Sequence, residues 1–142
     1  MYSCTENVIN NVEQVKADLA TACETYGMGL SSIYCEEYEE NNEYSVVAIC
    51  RRGHVSLHVY KNLGFVAADV FSCHDGAKPS ELSRNLRAYF GTDKSKITLL
   101  DRGDFGTVAD MKPRKNSQIK FVRRTKNLGN KLKKMMLKPR SI

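Results

Sequence analysis

A two-layer α+β sandwich, a mainly antiparallel sheet with helices on one face, is the fold class this sequence predicts. Three observations point to it. Apolar residues near the start recur at alternating steps of four and three, the spacing of one helix face. Several short runs rich in β-branched and aromatic residues follow, as strands require. A second helical spacing and one last short strand then complete the order. At 142 residues the chain is one domain's worth, and it contains no internal repeat.

The first helix is carried by Val8, Val12, Val15, Leu19, Ala22 and Tyr26, with Gly27 as its stop. Leu30 to Tyr38 is strand-like, and the polar run Glu36 to Glu43 predicts an exposed acidic loop after it. Tyr44 to Cys50 and Val55 to Tyr60 read as neighbouring antiparallel strands around a short polar break containing Gly53. Phe65 to Phe71 is a further strand. Leu82, Leu86, Tyr89 and Phe90 then define a helix after Pro79, with Ser80 as N-cap and Gly91 as stop. Lys96 to Leu100 is a last short strand of the body. Ile119 to Val122 suggests one more, and Leu128 to Leu137 a basic amphipathic helix, with Pro139 and the last residues expected to be disordered.

Charge divides the chain. Residues 1–111 hold 10 Lys/Arg against 16 Asp/Glu, whereas residues 112–142 hold 12 Lys/Arg and no acid. The division predicts a domain over residues 1–110 and a basic C-terminal extension over 111–142, partly disordered. A tail of this kind binds nucleic acid through phosphates, docks on an acidic protein surface, or stays solvated, and all three readings remain open. No apolar run reaches the roughly 20 residues that span a bilayer. The start, Met1-Tyr-Ser-Cys-Thr-Glu, lacks the basic and apolar regions of a secretory signal, so a cytoplasmic protein without membrane contact is expected. Five cysteines, at 4, 23, 35, 50 and 73, form no C-x-x-C pair, which points to reduced thiols. No spacing suits a metal ion, a nucleophile elbow or a phosphate-binding loop.

The most specific segment is Ser45-Val-Val-Ala-Ile-Cys-Arg-Arg-Gly-His-Val-Ser-Leu-His58, followed by Gly64-Phe-Val-Ala-Ala-Asp-Val-Phe-Ser-Cys73. It resembles the bacterial, pyruvoyl-dependent S-adenosylmethionine decarboxylase family, which serves polyamine (spermidine) biosynthesis. The likeness runs from about Cys4 to Arg102-Gly103. Family members carry Glu-Ser-His where this chain reads Arg52-Gly53-His54, and the serine attacks the preceding carbonyl, cuts the chain and becomes the pyruvoyl group. Anchored on Ser45, His54, Ser56 and His58, the match is gapless and leaves no serine at 53.

The resemblance implies further roles. His58 matches the residue that assists processing, and Cys73 the one that returns a proton to the substrate carbon after decarboxylation. Each has a bland alternative, a hydrogen-bonded strand histidine and a small packing residue. His74 matches no motif and is expected at the surface. Lys61-Asn62 replaces the Pro-Glu that usually follows Tyr60, removing a carboxylate associated with nucleoside binding, and leaves Tyr60 and Asn62 as weak substrate-binding candidates. A strand that precedes the matched Cys4 in the family is shortened or lost.

The resulting expectation is a pseudoenzyme without a pyruvoyl cofactor or a metal. It would bind S-adenosylmethionine or a related nucleoside, or regulate a partner, as a homodimer or as a heterodimer with an active decarboxylase. Two alternatives stand beside it. One is a lyase that cleaves S-adenosylmethionine without a pyruvoyl group, using His58 as general base. The other is a nucleic-acid or partner-binding module acting through residues 112–142. A cut at Ser56 or Cys50 instead of 53 stays open.

Overall fold

Helix α1 (Glu6–Ile9) and helix α2 (Val12–Thr25) replace the single predicted helix. The break falls at Asn10–Asn11, because the Asn11 side chain accepts a hydrogen bond from the Gln14 amide at 3.1 Å and caps α2 afresh. Gly27 ends α2 at φ 68°, with its own amide bonded to the Glu24 carbonyl and the Met28 amide to the Cys23 carbonyl, a Schellman pair. The computed structural model describes residues 1–101 and 113–136, with side chains through 128.

Four antiparallel strands follow: β1 (Leu30–Tyr38), β2 (Glu43–Cys50), β3 (Gly53–Tyr60) and β4 (Phe65–Ser72), hydrogen-bonded in that order. Alternation sorts their side chains to two faces. Tyr44, Val46 and Ala48 of β2, Val55, Leu57 and Val59 of β3, and Val66 of β4 point to one side and are buried. There they meet Val15, Leu19 and Cys23 of α2 and, from helix α3 (Pro79–Tyr89), Leu82 and Leu86, with Phe90 just beyond. Burying each such aliphatic side chain contributes about 1.5–3 kcal/mol, so this single layer holds the body together. The α+β sandwich with helices on one face is the observed architecture.

The acidic run Glu36 to Glu43 is less of a loop than its composition suggests. Glu36 and Glu37 belong to β1, paired with Ser45 and Tyr44, and only Glu39–Asn41 form a 3-10 turn. Ser80 is not the cap of α3, since Lys78 takes the N-cap position and Pro79 the first helical one.

A second, two-stranded sheet pairs β5 (Lys94–Leu99) with β6 (Arg114–Ile119). Strand β6 ends where the sequence placed its start, and helix α4 (Phe121–Met136) begins seven positions before Leu128. Every residue of β6 is exposed, so its pairing with β5 rather than apolar alternation makes it a strand. Lys120 ties this region to the body: its Nζ donates to the Gly91 carbonyl at 2.9 Å and lies 3.7 Å from Asp93. Arg123 donates to the Ser3 hydroxyl at 2.9 Å. The boundary at residue 110, Arg102-Gly103 and Pro139 lie outside the described residues.

Candidate functional site

The β2–β3 hairpin turns over Arg51 and Arg52 alone, so that Cys50 pairs with Gly53. Gly53 is therefore the first residue of a strand and not part of the turn, as the sequence had suggested. Arg52 carries the strain of the tight reversal at φ 56°, a left-handed conformation uncommon for a long side chain. Across the sheet Gly53 pairs with Ser72. A Cβ at 53 would collide with the Phe71 carbonyl oxygen and come within 2.9 Å of the Ser72 Cα and 3.1 Å of the Phe71 carbonyl carbon. Backbone stands where a side chain would go, the usual reason for glycine inside a strand.

The carbonyl of Arg52 accepts a hydrogen bond of 2.9 Å from the Cys73 amide. This bond latches the hairpin tip to the chain leaving β4, and it brings Arg52, Gly53, His54 and Cys73 to one end of the sheet. The Cys73 thiol is exposed. Cys50 differs: it is buried beside Cys23, and burial pushes its thiol up, so it is a poor nucleophile at neutral pH. His74 is half-buried, its amide bonded to the Ser72 hydroxyl at 3.1 Å.

The sheet face away from the helices carries the remaining polar groups. His54 Nε2 lies 3.1 Å from Asp69 Oδ2, and the imidazole leans on Phe71 with ring centroids 5.6 Å apart. Ser45 faces His58 across the β2–β3 pair, with Oγ and Nδ1 2.8 Å apart. Ser56 stands between them in register, flanked by Val47 and Asp69. At about 3.3 Å per residue, His58 is some 16 Å along β3 from Gly53. One chain thus carries two separate polar groups, Gly53–His54–Cys73 at the hairpin tip and Ser45–His58 further down.

Tyr60 and Asn62 lie at the opposite end of the strands. Tyr60 stacks near Phe65 with centroids 5.6 Å apart. The Asn62 amide staples two turns, accepting from Asn42 Nδ2 at 2.7 Å and donating to the Asn41 carbonyl at 3.4 Å. Asp69 is the site residue that sequence reasoning passed over. It sits in the quoted Ala-Asp-Val-Phe segment, and counting back from the hairpin places it one rung from His54 on the same face. Among the described residues no cluster of His, Cys, Asp or Glu could hold a metal ion, and no helix is long and apolar enough to cross a membrane.

A cavity of about 520 Å³ opens between β4, α3 and β5, lined by Ala68, Val70, Leu86, Arg87, Lys96 and Leu99 among others. None of the predicted site residues lines it.

Comparison with known proteins gives a consistent result over the body of the chain. Residues 1–103 match the family described as S-adenosylmethionine decarboxylase. An S-adenosylmethionine decarboxylase proenzyme of Thermoanaerobacter sp. (strain X514) is 23% identical over 105 residues, 74% of this chain and 84% of that protein. The proenzyme of Moorella thermoacetica is 24% identical over 103 residues, covering 72% and 82% of the two chains. That of Syntrophomonas wolfei is 25% identical over 103 residues, covering 72% and 81%.

Proposed function

Because this chain belongs to the S-adenosylmethionine decarboxylase family, we propose that it is a homologue that neither cleaves itself nor decarboxylates, retained to bind a nucleoside ligand or to regulate a partner. The observation that carries this reading is the packing of Gly53 against β4. A serine there needs space for its Cβ and hydroxyl, and the Phe71 carbonyl and Ser72 Cα take that space. A pyruvoyl group would supply an electrophilic carbonyl able to form a Schiff base with an amine. Glycine has neither the hydroxyl to generate it nor room for the precursor, so the residues do not fit the group.

The two polar groups of the open face support a dimer. His58 is too far from Gly53 and Cys73 to act with them in one chain, whereas two copies stacked open face to open face in opposite directions bring the Ser45–His58 pair of one against the hairpin tip of the other. The open face also exposes Tyr34 and Ile49, at 64% and 41%, which such stacking would cover. In this arrangement Cys73, His54 and the other copy's His58 line the interface where S-adenosylmethionine or a related nucleoside would sit. A heterodimer with an active decarboxylase uses the same face.

Mass spectrometry of the purified chain tests the central claim. One intact chain, with no S-adenosylmethionine turnover, is the expected result. Two fragments, the second blocked by a pyruvoyl group, would overturn it, and turnover by an uncleaved chain that is lost in His58→Ala would replace it with a lyase.

A second reading rests on the β6–α4 region. Lys115, Arg124 and Lys126 are exposed and have no ionic partner among the described residues. They are available to phosphates, and binding of a mixed-sequence oligonucleotide should then weaken steeply with salt. A flat salt response, or equal binding by a chain ending at Asp110, dismisses this reading.

A further inference from the structure

We propose that helix α4 is an interfacial anchor that lays an apolar stripe into the headgroup boundary of an anionic lipid surface. The proposal departs from the expectation of no membrane contact. It also goes beyond the phosphate reading of this region, which uses the cations and leaves the stripe bare. At about 100° per residue, Phe121, Thr125 and Leu128 fall on one side of α4, with Val122 at the margin of that side. Phe121, Val122 and Leu128 are 77%, 65% and 62% exposed. The exposed Arg124 and Lys126 flank the stripe, one on each side. The sequence continues the pattern to the end of the helix: Leu132 and Met135 follow Leu128 at steps of four and three, with Lys131, Lys133 and Lys134 between and beside them.

The body holds α4 by its polar side. Arg123 lies about 200° round the helix from Phe121, and its guanidinium donates to the Ser3 hydroxyl at 2.9 Å. Just before the helix, the Lys120 amide donates to the Asp93 carbonyl at 2.7 Å, and Lys120 Nζ makes the bond to Gly91 described above. Of residues 121–128, Arg123 alone is partly buried, and the other seven are exposed. A helix on its own domain ordinarily turns its apolar side inward. Here the order is reversed, and among the described residues nothing covers Phe121 or Leu128.

Charge and shape select the occupant. Residues 112–142 hold 12 Lys/Arg and no acid. A second copy packed stripe to stripe would set Arg124 and Lys126 against their own counterparts with no carboxylate from α4 between them. Nucleic acid would take the cations and leave Phe121 and Leu128 in water. A protein groove closes round a helix from several sides, and the side at Arg123 is taken by the body. A lipid surface needs one side only. Acyl chains cover the stripe, while Arg124 and Lys126 reach the phosphates with their stems along the apolar boundary.

The chain has no tryptophan, so Phe121→Trp puts a single reporter on the stripe of the full-length protein. Its emission should be that of an exposed indole in buffer. It should shift to the blue on addition of vesicles of phosphatidylcholine with about one third phosphatidylglycerol, and lipids brominated in the acyl chain should quench it. Vesicles of phosphatidylcholine alone should bind about tenfold more weakly or less. In sedimentation with the anionic vesicles, Phe121→Ser with Leu128→Ser should lower the affinity about tenfold, and so should Arg124→Gln with Lys126→Gln. Melting temperatures of both double variants should hold, because all four side chains are exposed. No shift with anionic vesicles, equal binding to the two kinds of vesicle, or undiminished binding by the serine variant overturns the proposal. The same blue shift with a mixed-sequence oligonucleotide overturns it in favour of nucleic acid, and blue emission in the free protein shows the stripe to be covered already.

Discussion

Gly53 and Phe71 are packed backbone to backbone: the α-carbon of one lies against the carbonyl of the other, across the edge where β3 begins and β4 ends. Any side chain at 53 must push the two strands apart or break the bond from the Cys73 amide to the Arg52 carbonyl that closes the hairpin tip. Gly53→Ala is expected to destabilise the protein by about 1–3 kcal/mol, the usual cost of forcing atoms into a filled site. Gly53→Ser should do the same and remain one uncleaved chain without decarboxylase activity. Urea denaturation measures the first and intact mass the second, and a self-cleaving Gly53→Ser variant would show that the strands yield.

Ser45 and His58 share one hydrogen bond on an exposed face, so neither has another described partner to fall back on. Ser45→Ala and His58→Ala should each cost little stability, and the double variant should cost less than their sum, with a coupling of about 0.5–1.5 kcal/mol. Additive effects would mean that the bond contributes nothing in solution.

The layout of this face was legible in part: two neighbouring antiparallel strands were expected, but the break between them was read to include Gly53, whereas the turn is Arg51 and Arg52 alone. Once Arg51 and Arg52 are the turn, Ser45 must face His58 and the buried set Val46, Ala48, Val55 and Leu57 falls on one side. The cavity between β4, α3 and β5 was not legible, because it depends on the packing of α3 against β5, which no local spacing encodes. Strand β6 was misplaced for a related reason: Arg114-Lys-Asn-Ser-Gln-Ile119 has no apolar alternation, and pairing alone makes it a strand. The break in the first helix was overlooked because Val8 and Val12 keep helical spacing on either side of it, while the cap at Asn11 acts through a side-chain bond that periodicity does not register.

Face-to-face pairing of two copies predicts that charge on the open face costs assembly and not folding. Tyr34 is 64% exposed in the single chain, so Tyr34→Asp should change the monomer's stability by no more than about 0.5 kcal/mol. Sedimentation at micromolar concentration should find the unmodified protein dimeric and Tyr34→Asp monomeric. A monomeric unmodified protein would refute the pairing and, with it, a site shared between two copies.

Alkaline pH offers a test of the covered face. Cys23 is fully buried, and burial first, then the neighbouring Cys50, pushes its thiol from an ordinary value of 9.0 up to about 12. In the unfolded chain the thiol ionises near its ordinary value, so above it the unfolded state holds fewer protons than the native one. Stability therefore falls as pH rises through the interval between the two values, by up to about 1.4 kcal/mol per pH unit for one group, and is independent of this thiol below it. Tyr44 adds a loss of the same sign at higher pH, because its hydroxyl is buried with no hydrogen-bond partner among the described residues and burial raises its pKa as well. Melting temperatures should thus decline on the alkaline side of neutrality. The decline should be shallower in Cys23→Ala, although that variant starts lower at neutral pH because it loses a buried sulfur. Parallel slopes for the two proteins would mean that the Cys23 thiol ionises as readily in the folded chain as in the unfolded one, and that the packing of α2 on β2 is looser than the structure describes.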